Sequence, residues 1–122
     1  ADADYLLSDT SSPITICADE SAHTASNVDE LASRYDAVNI KLDKTGGLTE
    51  AMAMYHAARA ANMDVMVGCM VAGSLSMAPA LLLAQLADYV DLDGPLWLSE
   101  DVLGGLSYSN GFVSPPVPAL WG

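Results

Sequence analysis

Four short apolar runs in this sequence each end on a residue able to do acid/base or ligand chemistry: Asp19, Lys41, Cys69 and the pair Asp91/Asp93. Successive members lie roughly one strand-plus-helix unit apart. In a parallel α/β protein the carboxyl ends of the strands form one rim, and that rim carries the site. Carboxylates there can hold a hard cation, and a lysine can move a proton once its pKa is drawn toward neutrality. Side chains alternate along a strand. Thr15, Cys17 and Asp19 therefore share a face, as do Val65, Val67 and Cys69, and as do Asp91 and Asp93. The expectation is that one acid, one lysine and a second acidic pair converge.

The lysine lies in the most informative stretch, Asp36 to Gly47. Only four basic side chains occur in the chain (Arg34, Lys41, Lys44, Arg59), and two of them are here. Alternation puts Val38, Ile40 and Leu42 on one face and Asn39, Lys41 and Asp43 on the other. An apolar face under helices, opposite a polar face bearing a lysine, suits an α/β site, although a strand end with solvated lysines has the same pattern. Asp91 and Asp93 on one face of a strand repel unless a cation lies between or in front of them. Asp93 can bond to turn amides, which leaves Asp91 needing a partner in a tight interior. Asp19 alone reads equally well as a loop or helix cap.

Other polar residues read blandly. His23 is a surface loop residue, His56 structural, and the six methionines core filler. Gly46-Gly47 lacks the ending of a phosphate-binding loop, and Cys17 and Cys69 lack zinc-ligand spacing.

The elements that must position these groups follow from local pattern. Ile14 to Ala18 reads as strand, and Thr24 to Asn27 supplies N-cap candidates for a helix over Val28 to Tyr35. After the central strand, Leu48 to Asn62 is an alanine-rich helix with Glu50 early, Arg59 late and Asn62 as C-cap. Val65 to Met70 reads as strand, Ser76 to Ala87 as a helix with Pro79 in its first turn, and Tyr89 to Asp93 as strand. Asp2 to Leu7 is a helix tail or a loop. Leu96 to Gly122 is rich in Gly, Pro and Ser, with an antiparallel ribbon around Gly105 to Val113 turning at Asn110-Gly111. The order βαβαβαβ, with strands buried on both sides, predicts a parallel sheet with right-handed crossovers.

Composition narrows the function classes. The chain of 122 residues is 52% hydrophobic, enough for one domain with a real core. Its net charge of −12 argues against nucleic acid and anionic membrane as partners. Two cysteines in apolar runs fit reduced thiols in a cytoplasmic protein. No signal peptide or apolar stretch of spanning length is visible. The chain begins Ala-Asp-Ala-Asp without a methionine, which fits a piece of something longer.

Together, Ala18-Asp19-Glu20-Ser21, Asn39-Ile40-Lys41-Leu42-Asp43-Lys44-Thr45-Gly46-Gly47, Val67-Gly68-Cys69-Met70 and Asp91-Leu92-Asp93-Gly94-Pro95 resemble the enolase superfamily. The match is to the muconate-lactonizing-enzyme subgroup, and within it to dipeptide epimerases of the L-Ala-D/L-Glu type. The resemblance implies the C-terminal half of a TIM-type (β/α) barrel, strands five to eight. Residues 1–95 would be that half and 96–122 a tail, with the capping domain and first barrel half absent. It further implies Asp19 as a ligand of Mg²⁺, Glu20 beside the metal site and Lys41 as an acid/base lysine. Asp91 and Asp93 would bind the α-ammonium of a dipeptide, and Cys69 and Met70 would line its pocket. The remaining metal ligands and a second lysine would belong to the absent half, so the chain alone is expected to be inactive unless complemented. Two alternatives stand beside this: a half-barrel that pairs with itself as a homo-oligomer, and a relative that racemises N-acylamino acids or cycloisomerises muconate.

Overall fold

The computed structural model describes residues 13–121; the Asp2 to Leu7 reading lies outside them. Its frame is a four-stranded sheet, β1 (Cys17–Ala18), β2 (Ala37–Lys41), β3 (Asp64–Gly68) and β4 (Tyr89–Val90), in sequence order and parallel throughout. Helices α1 (Val28–Ala32), α3 (Leu48–Ala60) and α4 (Ser74–Ala84) connect the strands, with a one-turn helix α2 (Leu42–Thr45) directly after β2. Past the sheet come a 3₁₀ turn, Gly94–Trp97, and a hairpin of β5 (Tyr108–Ser109) and β6 (Phe112–Val113). Asn110 and Gly111 both have positive φ (50° and 79°), as a two-residue hairpin turn requires.

Register decides which residues look toward the helices. Val38 pairs with Val65 and Ile40 with Val67. All four are fully buried and form one core with Ala51, Met54, Ala58, Met77 and Leu83. The opposite face carries Asn39 and Lys41, beside Met66 and Gly68. Cys17 pairs with Ala37 and Tyr89 with Met66, so both belong to the Lys41 face. Alternation within β3 thus puts Val65 and Val67 on the helix side, and the expected face shared with Cys69 is not the face of Lys41.

Several elements are shorter than their sequence pattern. The first strand pairs only at Cys17–Ala18; Ile14 is exposed, and the Ile16 amide donates to the Asp36 carboxylate (2.9 Å) instead of to a neighbouring strand. The last strand stops at Val90, although the Asp91 amide still reaches the Val67 carbonyl (2.9 Å). Helix α1 ends at Ala32 rather than Tyr35. There the Ser33 hydroxyl bonds the Glu30 carbonyl (2.7 Å) and the Arg34 and Tyr35 amides share the Leu31 carbonyl, local bonding that competes with helix propagation. The cap is also supplied differently: the Ala25 amide donates to Glu50 of α3 (2.9 Å), not to a side chain of Thr24 to Asn27.

Helix α4 begins two residues before its expected start, and Pro79 lies inside it rather than in its first turn. The reason is remote. Asp101, from the tail, accepts from the Ser74 amide (3.0 Å) and from the buried Ser74 hydroxyl, which itself accepts from the Leu106 amide (2.8 Å). An acceptor so placed satisfies amides at the helix start, and the helix tolerates the bond Pro79 cannot make.

Gly68, the register partner of Lys41, is where backbone and side chain meet most tightly. A Cβ there would lie 2.5 Å from Asn39 Oδ1 and 2.8 Å from its Nδ2. The Asn39 amide fills the space a side chain would need. Gly68→Ala should therefore cost about 1–3 kcal/mol, the usual range for overpacking, as a lower midpoint in urea unfolding. An unchanged midpoint would show that Asn39 moves freely.

Candidate active site at the strand carboxyl ends

Lys41 closes β2, and its side chain runs past the end of the sheet to the residue just beyond β1. Its Nζ lies 2.9 Å from Asp19 Oδ1, 3.0 Å from Oδ2 and 3.9 Å from Glu20 Oε1. Lys44 reaches the same carboxylate: its Nζ is 2.6 Å from Asp19 Oδ1 and also donates to the Asp19 carbonyl. Both lysine side chains are about nine-tenths buried (11% and 10% exposed), whereas that of Asp19 is 42% exposed. Two ammonium groups thus converge on one half-open carboxylate.

The placement of Lys44 follows from backbone geometry. Strand β2 gives way to the single turn of α2, so positions 41 and 44 present side chains one turn apart on one side. Gly46 (φ 80°) and Gly47 (φ 128°) then reverse the chain through conformations that L side chains avoid. Leu42 and Asp43 lie in the helical turn, so the strand alternation expected through them ends at Lys41.

Electrostatics follow the contacts. Burial raises the Asp19 carboxyl, but hydrogen bonds from Lys44 and Lys41 outweigh it and hold the group below the usual carboxylate range. Burial lowers the Lys41 ammonium, yet the Asp19 hydrogen bond and charge prevail and raise it above the usual lysine value. Burial pushes the neighbouring Cys17 thiol up to about 11, with Asp19 reinforcing and the two lysines opposing. For stability, a lowered Asp19 contributes above its unfolded pKa, and that contribution fades as pH falls through the folded value. A raised Lys41 contributes below its unfolded pKa, and the contribution is lost as pH climbs through the folded value. Asp19→Asn should thus cost about 1–2 kcal/mol, discounted for the exposure of Asp19. The difference from the parent should be level between about pH 5 and pH 9 and shrink at both extremes. Urea melts across pH measure this; a difference that grows in acid would contradict the ion pair.

The second acidic cluster is organised separately. Asp91 and Asp93 are both exposed, not enclosed in a tight interior, because Leu92 between them takes the buried position. Asp93 Oδ2 accepts from the Trp97 indole (3.0 Å), not from turn amides, and the Tyr108 hydroxyl donates to the Leu92 carbonyl (2.8 Å). With Val90, Leu96 and the hairpin, the two acids line a cleft of about 440 Å³. Cys69 links the clusters electrostatically: Asp91 and Asp93 act on its thiol, and it acts on Lys41. Burial raises that thiol, opposed by a hydrogen bond from the Gly94 amide. Met70 is about half exposed on the same loop.

Among the described residues, no group of three or more His, Cys, Asp or Glu side chains is arranged to hold a metal. The donor chemistry at Asp19 nonetheless fits a hard cation as one member of a ligand set, since the carboxylate is ionised and partly open, and such a cation would displace the lysine ammoniums that now hold both oxygens. His23 is exposed, and His56 is exposed with its ring edge-on to Tyr55 (5.3 Å). The residue that sequence reasoning passed over is Lys44; its signal was the three-residue spacing from Lys41 just before a Gly-Gly reversal. No helix among the described residues is long and apolar enough to cross a membrane.

Four parallel strands, consecutive in the sheet and joined by helices, with an acid and a lysine meeting beyond their carboxyl ends, define a β/α-barrel-type unit. The chain belongs to the enolase C-terminal domain-like family, whose profile matches residues 3–119. It is 51% identical over its whole length to an N-acetyl-D-glutamate racemase from Pseudoalteromonas, covering 39% of that protein. It is 49% identical over 111 residues to the L-Ala-D/L-Glu epimerase of Escherichia coli K12, 91% of this chain and 35% of that one. A crystal structure of an enolase family member from Agrobacterium tumefaciens with homology to dipeptide epimerases, holding sodium and L-Ala-L-Glu, superposes on all of this chain and 37% of its own (TM-score 0.94, 52% identity). The chain thus spans little more than a third of the length of these relatives.

Proposed function

We propose that this chain is the C-terminal barrel portion (1–95) and tail (96–122) of a Mg²⁺-dependent epimerase that inverts the α-carbon of the second residue of an L-Ala-D/L-Glu-type dipeptide. The observation that carries the reading is the Lys41 ammonium seated on the Asp19 carboxylate beyond the ends of adjacent parallel strands. A proton α to a carboxylate is too weakly acidic for an amine to remove unaided, so the enediolate charge has to be stabilised as it forms. A divalent cation held by Asp19 and by ligands from the rest of the protein would supply that stabilisation. Lys41 carries the proton on one face of the α-carbon. To act as base it must first lose the hold of Asp19, which now keeps it protonated. Glu20, 3.9 Å from Lys41, adds negative charge at the edge of the site. Asp91 and Asp93 receive the dipeptide ammonium, and Cys69 and Met70 line the space between the two ends. The crystal structures of dipeptide epimerases from Cytophaga hutchinsonii and Methylococcus capsulatus with Mg support the choice of metal.

A second reading is favoured by one finding, the 51% identity to an N-acetyl-D-glutamate racemase. L-Ala-Glu and N-acetylglutamate are both glutamates acylated at nitrogen. Lys41 and Asp19 would serve either, and the substrates differ only at the end that faces Asp91 and Asp93. The experiment is to complete the barrel by co-producing this chain with the remaining segments of the Escherichia coli relative. The completed barrel is then supplied with Mg²⁺ and either L-Ala-L-Glu or N-acetyl-D-glutamate, and the epimers are resolved by chiral chromatography. Inversion of the dipeptide supports the epimerase. Inversion of N-acetylglutamate alone replaces it with the second reading, and a folded barrel that inverts neither overturns both.

A further inference from the structure

Lys44 is a nine-tenths buried cation to which the proposed chemistry gives no task, yet it touches the same carboxylate as Lys41. The two lysines differ in what else they hold. Among the described residues, Lys41 makes its hydrogen bonds and ion pairs to carboxylate oxygens: both oxygens of Asp19, with Glu20 farther off. Lys44 holds one Asp19 carboxylate oxygen and also the Asp19 backbone carbonyl. That carbonyl is the acceptor of the Ala22 amide (2.9 Å), the bond that closes the turn leaving β1. Ala22 is itself fully buried in the core.

The partners therefore divide the work. A carboxylate can be claimed by another cation or by a reorganised site, and Lys41 would then be released. A main-chain carbonyl is fixed in the backbone, and a lysine bonded to it is held in place. The Gly46-Gly47 reversal and the Thr45 hydroxyl, which donates to the Gly47 carbonyl (3.1 Å) and the Leu42 carbonyl (3.3 Å), hold the turn that carries Lys44.

We infer that Lys44 is a positioning residue: it pins the Asp19–Ala22 turn and aims the Asp19 carboxylate, leaving Lys41 as the lysine free to exchange partners. The sense of this role rests on the reading of Lys41 and Asp19 given above, but the contact it predicts can be tested without any activity. The experiment is amide hydrogen exchange, followed by NMR on the 122-residue chain and its Lys44→Met, Lys44→Arg and Lys41→Met variants. Lys44→Met should speed exchange at the Ala22 amide about tenfold relative to amides of α3, Lys44→Arg should recover most of the protection, and Lys41→Met should change it by less than about twofold. If the two methionine variants loosen Ala22 equally, or if neither does, the division of roles is wrong. Should a variant unfold, as seen by loss of the α3 signals, the same comparison is made in the completed barrel. Failure of the epimerase reading with the Ala22 result intact would leave Lys44 as the anchor of the turn and withdraw only its service to catalysis.

Discussion

Replacing Lys41 by methionine in the completed barrel should lower α-proton exchange by about 10³-fold or more, the upper part of the range for losing a positioned acid/base group. Methionine keeps the length and apolar stem that cross the inner face, so the sheet should survive. Lys41 is only 9% exposed and Asn39 beside it 4%, and an apolar replacement removes a charge rather than opening a cavity. What is lost is the ammonium that closes β2 and meets the Asp19 carboxylate, the group to which the proposed chemistry gives the proton. Deuterium incorporation with L-Ala-L-Glu, alongside circular dichroism to show folding, measures the effect. A folded Lys41→Met barrel that retains a tenth or more of the parent rate would remove Lys41 from the mechanism.

The second large effect is expected at the other cluster, and it should be selective. Asp93→Ala deletes a carboxylate that the Trp97 indole already holds in position (3.0 Å). On the proposed reading a dipeptide would bring an ammonium to this cleft, and an N-acetyl group would bring none. Loss of one member of a charge-assisted contact costs about 2–3 kcal/mol, so kcat/KM for L-Ala-L-Glu should fall roughly 30- to 150-fold on that scale. Any turnover of N-acetylglutamate should fall by less than about threefold, and the ratio of the two, measured by competition in one tube, isolates the ammonium contact from general damage. Equal losses on both substrates would show that Asp93 supports the loop and reads no charge.

The sequence disclosed the frame well because its strongest signals are local. Val38 and Ile40 alternate with polar Asn39 and Lys41, Val65 and Val67 belong to a continuous apolar run, and all four lie in the core. Turn chemistry at Asn110-Gly111 was equally readable, since both positions need positive φ. Boundaries failed where a distant residue took over. Asp101 starts α4 early from 27 positions away, Glu50 caps the turn before α1 from 25 away, and neither bond leaves a trace in the windows around them.

At the site, the pairing of Asp19 with Lys41 could be foreseen because parallel strands align their carboxyl ends. Exposure of Asp91 and Asp93 could not, because alternation does not tell which part of a strand lies past its last neighbour: β4 pairs at only two positions. Lys44 was missed for a related reason. Reading the strand as continuing through Asp43 hid the one-turn helix that brings positions 41 and 44 to one carboxylate.

The central claim is that the Asp19–Lys41 pair marks a place where a carbon acid loses its α-proton. Incubating the completed, folded barrel with L-Ala-L-Glu and Mg²⁺ in D₂O and following the glutamyl α-proton by NMR tests it most directly. The account predicts that this resonance disappears, deuterium replacing it, while the alanyl α-proton persists. A glutamyl signal that stays at full intensity over days would contradict it.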